Sequence, residues 1–268
     1  MSAVAVVGAG RTGLQAAAAL ARAGRPVALF ERLPAAGGQE PEPETAGALA
    51  ADARRVGVEL RLGTLAVRWD GEALHALGVD GAVRFECAAL LVATGTRPAT
   101  RGELGIAGDR FAGVMPGSAA LHLTESGVLL GHRPVVLGGG TLAGSCVGAL
   151  RHAGAEHVTL VAPDGVLDPA AARADSVLEG WTVHSASGDP RVSSVTIARG
   201  DGRERLAADA LVLAHRRVPM RNVEGAVRAR ECVVFCHSGA DPKTAADARA
   251  AAERGAGEVL ETLRRGAS

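Results

Sequence analysis

The chain has 268 residues, 47% of them hydrophobic, enough for one large domain or two ordinary ones with a proper core. Lysine plus arginine balances aspartate plus glutamate at 29 each, so no phosphate-backbone partner, and hence no nucleic-acid role, is expected. Four Phe, two Trp and no Tyr leave few rings for stacking a base or a flavin, and no apolar run approaches a membrane span.

Met1–Val4 carries no basic region and enters an apolar stretch at once, so no secretory signal is expected and the chain reads as cytoplasmic. Residues 4–7 read as a strand, followed by Gly8, Gly10 and Gly13 and an alanine-rich helix ending at Gly24. Gly8 permits the tight turn off the strand, Gly10 lets the backbone approach a pyrophosphate, and Gly13 lets the helix pack on the sheet. Arg11 and Thr12 sit at the helix N-terminus, whose free N–H groups and positive dipole end suit phosphates. Residues 26–31 form the next strand and end in Glu31, beside Arg32. A carboxylate there accepts bonds from a ribose 2′-hydroxyl and disfavours a 2′-phosphate. This combination of strand, glycine turn, helix and acid predicts a dinucleotide site.

Residues 58–70 and 73–92 read as short strands with turns at Asp70-Gly71 and Asp80-Gly81, forming a small sheet over one side of the first unit. Further on the pattern returns. Gly138, Gly140 and Gly154 repeat Gly8, Gly10 and Gly24, each pair 130 residues apart, with residues 134–137 and 158–162 as the flanking strands. Thr141 and Leu142 open the second helix and Ala143 stands for the third glycine. The second strand ends in Ala162-Pro163, with neither carboxylate nor arginine, so NADH, another adenine nucleotide or no ligand all stay open there. Residues 193–199 and 205–214 form a hairpin about Gly200–Gly202, and 244–264 an alanine-rich helix with a solvated charged face.

The cysteines, at 87, 146, 232 and 236, form no Cys-x-x-Cys pair and no zinc spacing. Cys232 and Cys236 flank a strand and would stand about 13 Å apart, too far for a disulfide. Four reduced thiols are expected. His122, His132, His152 and His157 are scattered and read as surface positions, while Cys236 and His237 end a strand and read as structural. Trp69 and Trp181 read as packing residues. No Gly-Lys-Ser/Thr loop and no Gly-x-Ser-x-Gly elbow occurs, which removes support for ATP or ester hydrolysis.

With these motifs in order, the chain resembles the two-dinucleotide-domain flavoproteins of the pyridine nucleotide–disulfide oxidoreductase superfamily. It is most similar in pattern to the thioredoxin-reductase-like group and to the FAD/NAD-binding subunits of opine oxidase, cyanide synthase and dye-linked proline dehydrogenase. The resemblance is carried by Gly8–Gly13 with Glu31, by Gly37-Gly38-Gln39, and by residues 90–98 with Thr94 and Gly95. Residues 111–117, the second fingerprint, residues 209–214 and the strand leading to Asp241 complete it. It implies an α/β fold of two Rossmann-like three-layer domains, the second inserted into the first. The expected boundaries are 1–112 and 222–268 for the FAD-binding domain and 113–221 for the NAD(P)-binding-like domain. The implied cofactors are FAD, with Gly38, Gln39, Thr94, Gly95 and Asp241 along it, and NAD(P)H, with NADH favoured.

Three departures qualify the activity. No dithiol pair is present, Ser145 stands where the family often has glutamate, and the acidic segment after Gly38 is short. The expected function is an FAD-dependent oxidoreductase passing electrons from NAD(P)H to a small-molecule or protein acceptor, without a redox-active disulfide. The alternatives are an accessory subunit of a dehydrogenase complex, or a degenerate member without flavin. A partner subunit or a homodimer fits either active form; neither nucleic acid nor membrane is an expected partner.

Overall fold

In the computed structural model, residues 3–38, 43–229, 232–236 and 245–265 are described. Their contacts divide the chain into two units, Met1–Thr96 with Pro219–Ser268, and Arg97–Val218. The expected crossing at 112/113 falls inside the second unit. The reason is backbone pairing: Ala107 bridges Ser185 and Ala112 bridges Arg191, which ties residues 99–113 to the second unit's own sheet.

In the first unit, β1 (Val4–Val7), α1 (Arg11–Arg22), β2 (Val27–Phe30), α2 (Pro43–Arg55) and β3 (Glu59–Arg61) run in sequence. They are followed by the antiparallel strands β4 (Leu65–Trp69), β5 (Ala73–Gly78) and β6 (Gly81–Glu86), and by β7 (Ala89–Val92). The crossing strand β8 (Thr96–Pro98) leads to the second unit. There β9 (Val114–Pro116), α3 (Gly117–Glu125), β10 (Pro134–Leu137), α4 (Thr141–His152), β11 (Thr159–Ala162) and β12 (Ser176–Glu179) come first. An antiparallel set follows, β13 (Thr182–Gly188), β14 (Val192–Arg199) and β15 (Gly202–Ala207), then β16 (Ala210–Leu213) and the returning strand β17 (Arg217–Pro219). The chain re-enters the first unit with β18 (Val233–Phe235) and the 21-residue helix α5 (Ala245–Arg265).

The first unit's parallel sheet has the order β18-β7-β1-β2-β3, and the second unit's the order β12-β11-β10-β16-β9. The central strands β1, β2 and β7 are buried at every position, which explains their unbroken apolar runs. Alternation still sorts the side chains to two faces. Val4 and Val6 pack with helical Leu14, Ala17, Ala252 and Val259, while Ala5 and Val7 pack with Trp69, Leu74 and Ala76 of the antiparallel layer. The second unit repeats this: Val136 and Leu160 face α4, and Val135 and Leu137 face Val195 and Ile197 of β14. Each unit is therefore a three-layer α/β domain, as the sequence predicts.

Two expectations on the small sheets are corrected. Residues 59–61 and 89–92 belong to the parallel sheet, leaving β4–β6 alone as the antiparallel cover. Likewise 210–213 pairs in parallel with β10, and β13 joins the 192–207 hairpin as a third strand. The runs 89–92 and 210–213 are buried at every position and lose the alternation that would distinguish them, while Glu59–Arg61 is too short to show any. Among the described residues no helix is long and apolar enough to cross a membrane.

Candidate functional site

Both parallel sheets reverse strand order beside their central strand, β1 or β10, and crevices at such points lie outside the strands' carboxyl ends. In the first unit that end is built by glycine. Gly8 has φ +103°, and a Cβ there would lie 2.5 Å from the Ala93 carbonyl oxygen at the exit of β7. A Cβ on Gly13 would lie 1.9 Å from the Gly8 oxygen. Gly10 is different: it has φ −74°, and a Cβ there meets nothing within 4 Å. Two glycines thus close the turn, while the third leaves open space beside the helix start. Helix α1 begins with no capping side chain and no acid in its first turn, so its opening amides suit an anion.

Glu31 stands at the end of β2, 9% exposed. Its Oε2 accepts the Ala9 N–H at 2.8 Å and its Oε1 accepts the Leu33 N–H at 2.9 Å. The carboxylate is thereby fixed against the glycine turn with acceptor capacity to spare for ribose hydroxyls. The following loop folds over the turn, where Gly37 N–H donates to the Ala9 carbonyl at 2.8 Å and a Cβ on Gly38 would come within 3.1 Å of Gly10 Cα. Gly38 therefore lies at the cradle, while Arg32 is exposed beside Glu31. At the neighbouring strand end, Thr94 Oγ1 donates to the Met220 carbonyl at 2.6 Å, and Met220 N–H donates to Gly95 O at 2.9 Å. Gln39, His237 and Asp241 lie outside the described residues.

The second unit reproduces the turn. Gly138 has φ +137°, and a Cβ there would meet the Ala214 carbonyl at 2.6 Å. Gly140 precedes α4, which again has neither a capping side chain nor an acid in its first turn. Ala143 is fully buried, Thr141 is exposed, and Leu142 packs its side chain on Gly117. The repeat extends beyond the glycines: Leu167 N–H donates to Gly139 O at 2.8 Å, as Gly37 does to Ala9, again 130 residues on. The sequence leaves this cradle without an acid. The fold nevertheless brings up Asp164 from the loop and Glu179 from the end of β12, with His215 Nε2 3.9 Å from the Asp164 carboxylate. Only the pairing of β12 beside β11 could have revealed Glu179.

The remaining candidates settle into structural positions. Cys87, Cys146, Cys232 and Cys236 are free, and burial pushes the thiols of Cys87, Cys146 and Cys236 up to about 12. Cys236 Sγ donates to Ala251 O at 3.0 Å, inside the core. His122, His132 and His152 are exposed, whereas His157 is half-buried with Nε2 3.0 Å from Ser176 Oγ. Trp69 is buried and Trp181 lies under Arg199. Among the described residues no His, Cys, Asp and Glu group is arranged to hold a metal.

Two three-layer units, each with a glycine turn at the strand ends, define a fold of two Rossmann-like domains. Residues 2–115 match the family description "Pyridine nucleotide-disulphide oxidoreductase". The fold resembles thioredoxin reductase from T. acidophilum, with TM-score 0.62, 18% identity, and coverage of 100% of this chain and 99% of that one. It also resembles a pyridine nucleotide-disulfide family oxidoreductase from Enterococcus faecalis V583, with TM-score 0.67, 14% identity, and coverage of 98% and 69%. The NADP(+)-dependent formate dehydrogenase subunit beta of Moorella thermoacetica is 32% identical over 175 residues, which are 59% of this chain and 23% of that subunit. The chain thus spans under a quarter of that relative.

Proposed function

We propose that the chain is an FAD-dependent oxidoreductase that takes hydride from NAD(P)H, NADH in preference, and passes the electrons to an acceptor without a redox-active disulfide. The observation that carries this is the first cradle: an uncapped helix start, open space at Gly10, and a buried carboxylate held against the turn. These features fit a dinucleotide such as FAD. The amides opening α1, at Arg11, Thr12 and Gly13, would hold its pyrophosphate, and Glu31, with Arg32 beside it, its adenosine end. Gly38, Thr94 and Gly95 line the same strand ends, and Gln39 and Asp241 complete the proposed set. A bound flavin supplies two-electron acceptance and onward transfer. Gly138, Gly140 and the amides of Thr141 and Leu142 would hold the nicotinamide dinucleotide in the second unit. The buried thiols support a route that bypasses cysteine, because a thiol at about 12 supplies almost no thiolate at neutral pH.

The test is anaerobic addition of NADH to FAD-loaded protein. Bleaching of the flavin bands is expected; unchanged bands with both NADH and NADPH would refute hydride transfer.

A second reading, an accessory nucleotide-binding subunit, is favoured by one observation: the curated relative is itself named as a subunit. It predicts a second chain that co-purifies and is required for turnover with an acceptor. Full turnover by the isolated chain would exclude it.

A further inference from the structure

We propose that the second cradle admits NADH and rejects NADPH, and that Asp164 and Glu179 make the choice. This rests on the reading of the second unit as the nicotinamide-dinucleotide domain. It goes beyond that reading by naming residues that the glycine fingerprint does not contain.

The argument starts from the two copies laid on each other by their hydrogen bonds. Gly8 N–H donates to Phe30 O and Gly138 N–H to Val161 O, both at 2.8 Å. The residues that follow, Glu31 and Ala162, are therefore counterparts, and alanine offers nothing to a ribose. The second unit replaces the missing group from the side. Glu179 closes β12 in register with Ala162, and Gly180 N–H donates to Ala162 O at 2.9 Å. Glu179 Oε2 lies 3.9 Å from where a Cβ on Gly165 would stand. The Gly165 carbonyl oxygen would in turn lie 2.0 Å from a Cβ on Gly139, the middle residue of the turn. One thickness of backbone thus separates the Glu179 carboxylate from the cradle.

Asp164 precedes Gly165, and its side chain is 75% exposed. His215, which its carboxylate approaches at 3.9 Å, follows the end of β16, and its amide nitrogen lies 2.8 Å from a would-be Cβ on Gly138. The two carboxylates therefore border the same strand ends from two directions.

The loop that carries Asp164 brings no cation to a 2′-phosphate. The loop from Pro163 to Ala172 contains neither lysine nor arginine. Asp168, its other acid, accepts the Ala170 N–H at 2.8 Å and packs on Gly144 of α4. Arg199 comes near Gly180 by its Cδ but lays its guanidinium over the Trp181 ring. A ribose 2′-hydroxyl can donate to a carboxylate, whereas a phosphate there brings like charge against two acids. The discrimination is built from repulsion as much as from attraction. The curated relative is named for NADP(+), so this chain is expected to differ from it in nucleotide choice.

The experiment measures NADH and NADPH dissociation constants by calorimetry on the full FAD-treated chain at low salt. The proteins are wild type, Glu179→Gln, and Asp164→Asn with Glu179→Gln; both positions are exposed, and circular dichroism checks that each variant is folded. Wild type is expected to bind NADH about tenfold tighter than NADPH, a size that two partly screened charges can reach. The ratio should fall severalfold in the double variant, mainly through tighter NADPH binding, and should narrow in wild type as salt is raised. If NADH binds but the ratio is near one, favours NADPH, or is unchanged in the double variant, the inference is overturned and the donor reading stands. If neither nucleotide binds wild type, the donor reading itself fails and the inference falls with it.

Discussion

The Ala9 amide donates to the Glu31 carboxylate at 2.8 Å, so the acid that ends β2 is also the fastener of the glycine turn. Its other oxygen accepts from Leu33, and the residue is nearly buried. Replacing Glu31 with alanine removes the acceptor of two backbone donors. Each buried donor left without a partner costs about 1–3 kcal/mol. Glu31→Ala should lower the unfolding midpoint by several degrees and abolish flavin retention, while Glu31→Gln, which keeps one acceptor, should fall between. Equal flavin retention in wild type and Glu31→Ala would contradict the assignment.

Glycine substitutions should separate the two roles of the first fingerprint. Gly13→Ala drives a Cβ to 1.9 Å from the Gly8 oxygen, so helix α1 must shift. A loss of roughly 2–4 kcal/mol of stability is expected, in the range of severe core strain. Gly10→Ala meets no protein atom and keeps an allowed backbone. It should leave urea unfolding nearly unchanged yet weaken flavin binding at least about tenfold, since its methyl enters the space reserved for the ligand. Stability lost equally in both variants would mean that the open space at Gly10 has no ligand to hold.

The thiols should be inert in the folded protein. Cys87, Cys146 and Cys236 are buried and raised to about 12. Titration with a thiol reagent at pH 8 should label at most Cys232 before unfolding and all four cysteines after it. Reduction by NADH should reveal no additional thiol. Two thiols appearing on NADH addition would restore disulfide chemistry.

One surface cluster should impose a measurable pH dependence. Arg97 foremost, and the amide and hydroxyl of Thr100, hold Glu103 at about 2, below its usual 4.5. A carboxylate lowered on folding contributes stability above its unfolded value, and that contribution is lost as pH falls through the folded one. Glu103→Gln should therefore be slightly less stable than wild type at pH 7, with the difference closing between about 4.5 and 2. The pair lies at the surface, so the effect is small and screened by salt. A difference that persists unchanged at pH 2 would assign it to packing instead.

Much of this was legible in the sequence because the constraint was local. Gly8 and Gly138 are required by positive φ and by carbonyls at the neighbouring strand exit, and the 130-residue offset shows in the bare letters. Glu31 could be placed because its strand leads straight to it. Glu179 could not, since it reaches the second cradle only through the pairing of β12 with β11, a contact between distant segments. Nor does the sequence show that residues 59–61 and 89–92 join the parallel sheet, for a related reason: strand partners are set by tertiary packing, Glu59–Arg61 is only three residues long, and the apolar run 89–92 carries no address. The pairing of Ala107 with Ser185 and of Ala112 with Arg191 likewise shows only in the fold.

The central claim is that the first cradle holds FAD, and the visible absorbance spectrum after incubation with FAD and desalting tests it most directly. The account predicts flavin bands retained by wild type near one FAD per chain and lost in Glu31→Ala. A colourless wild-type protein would contradict it and turn attention to a family member that has given up its flavin.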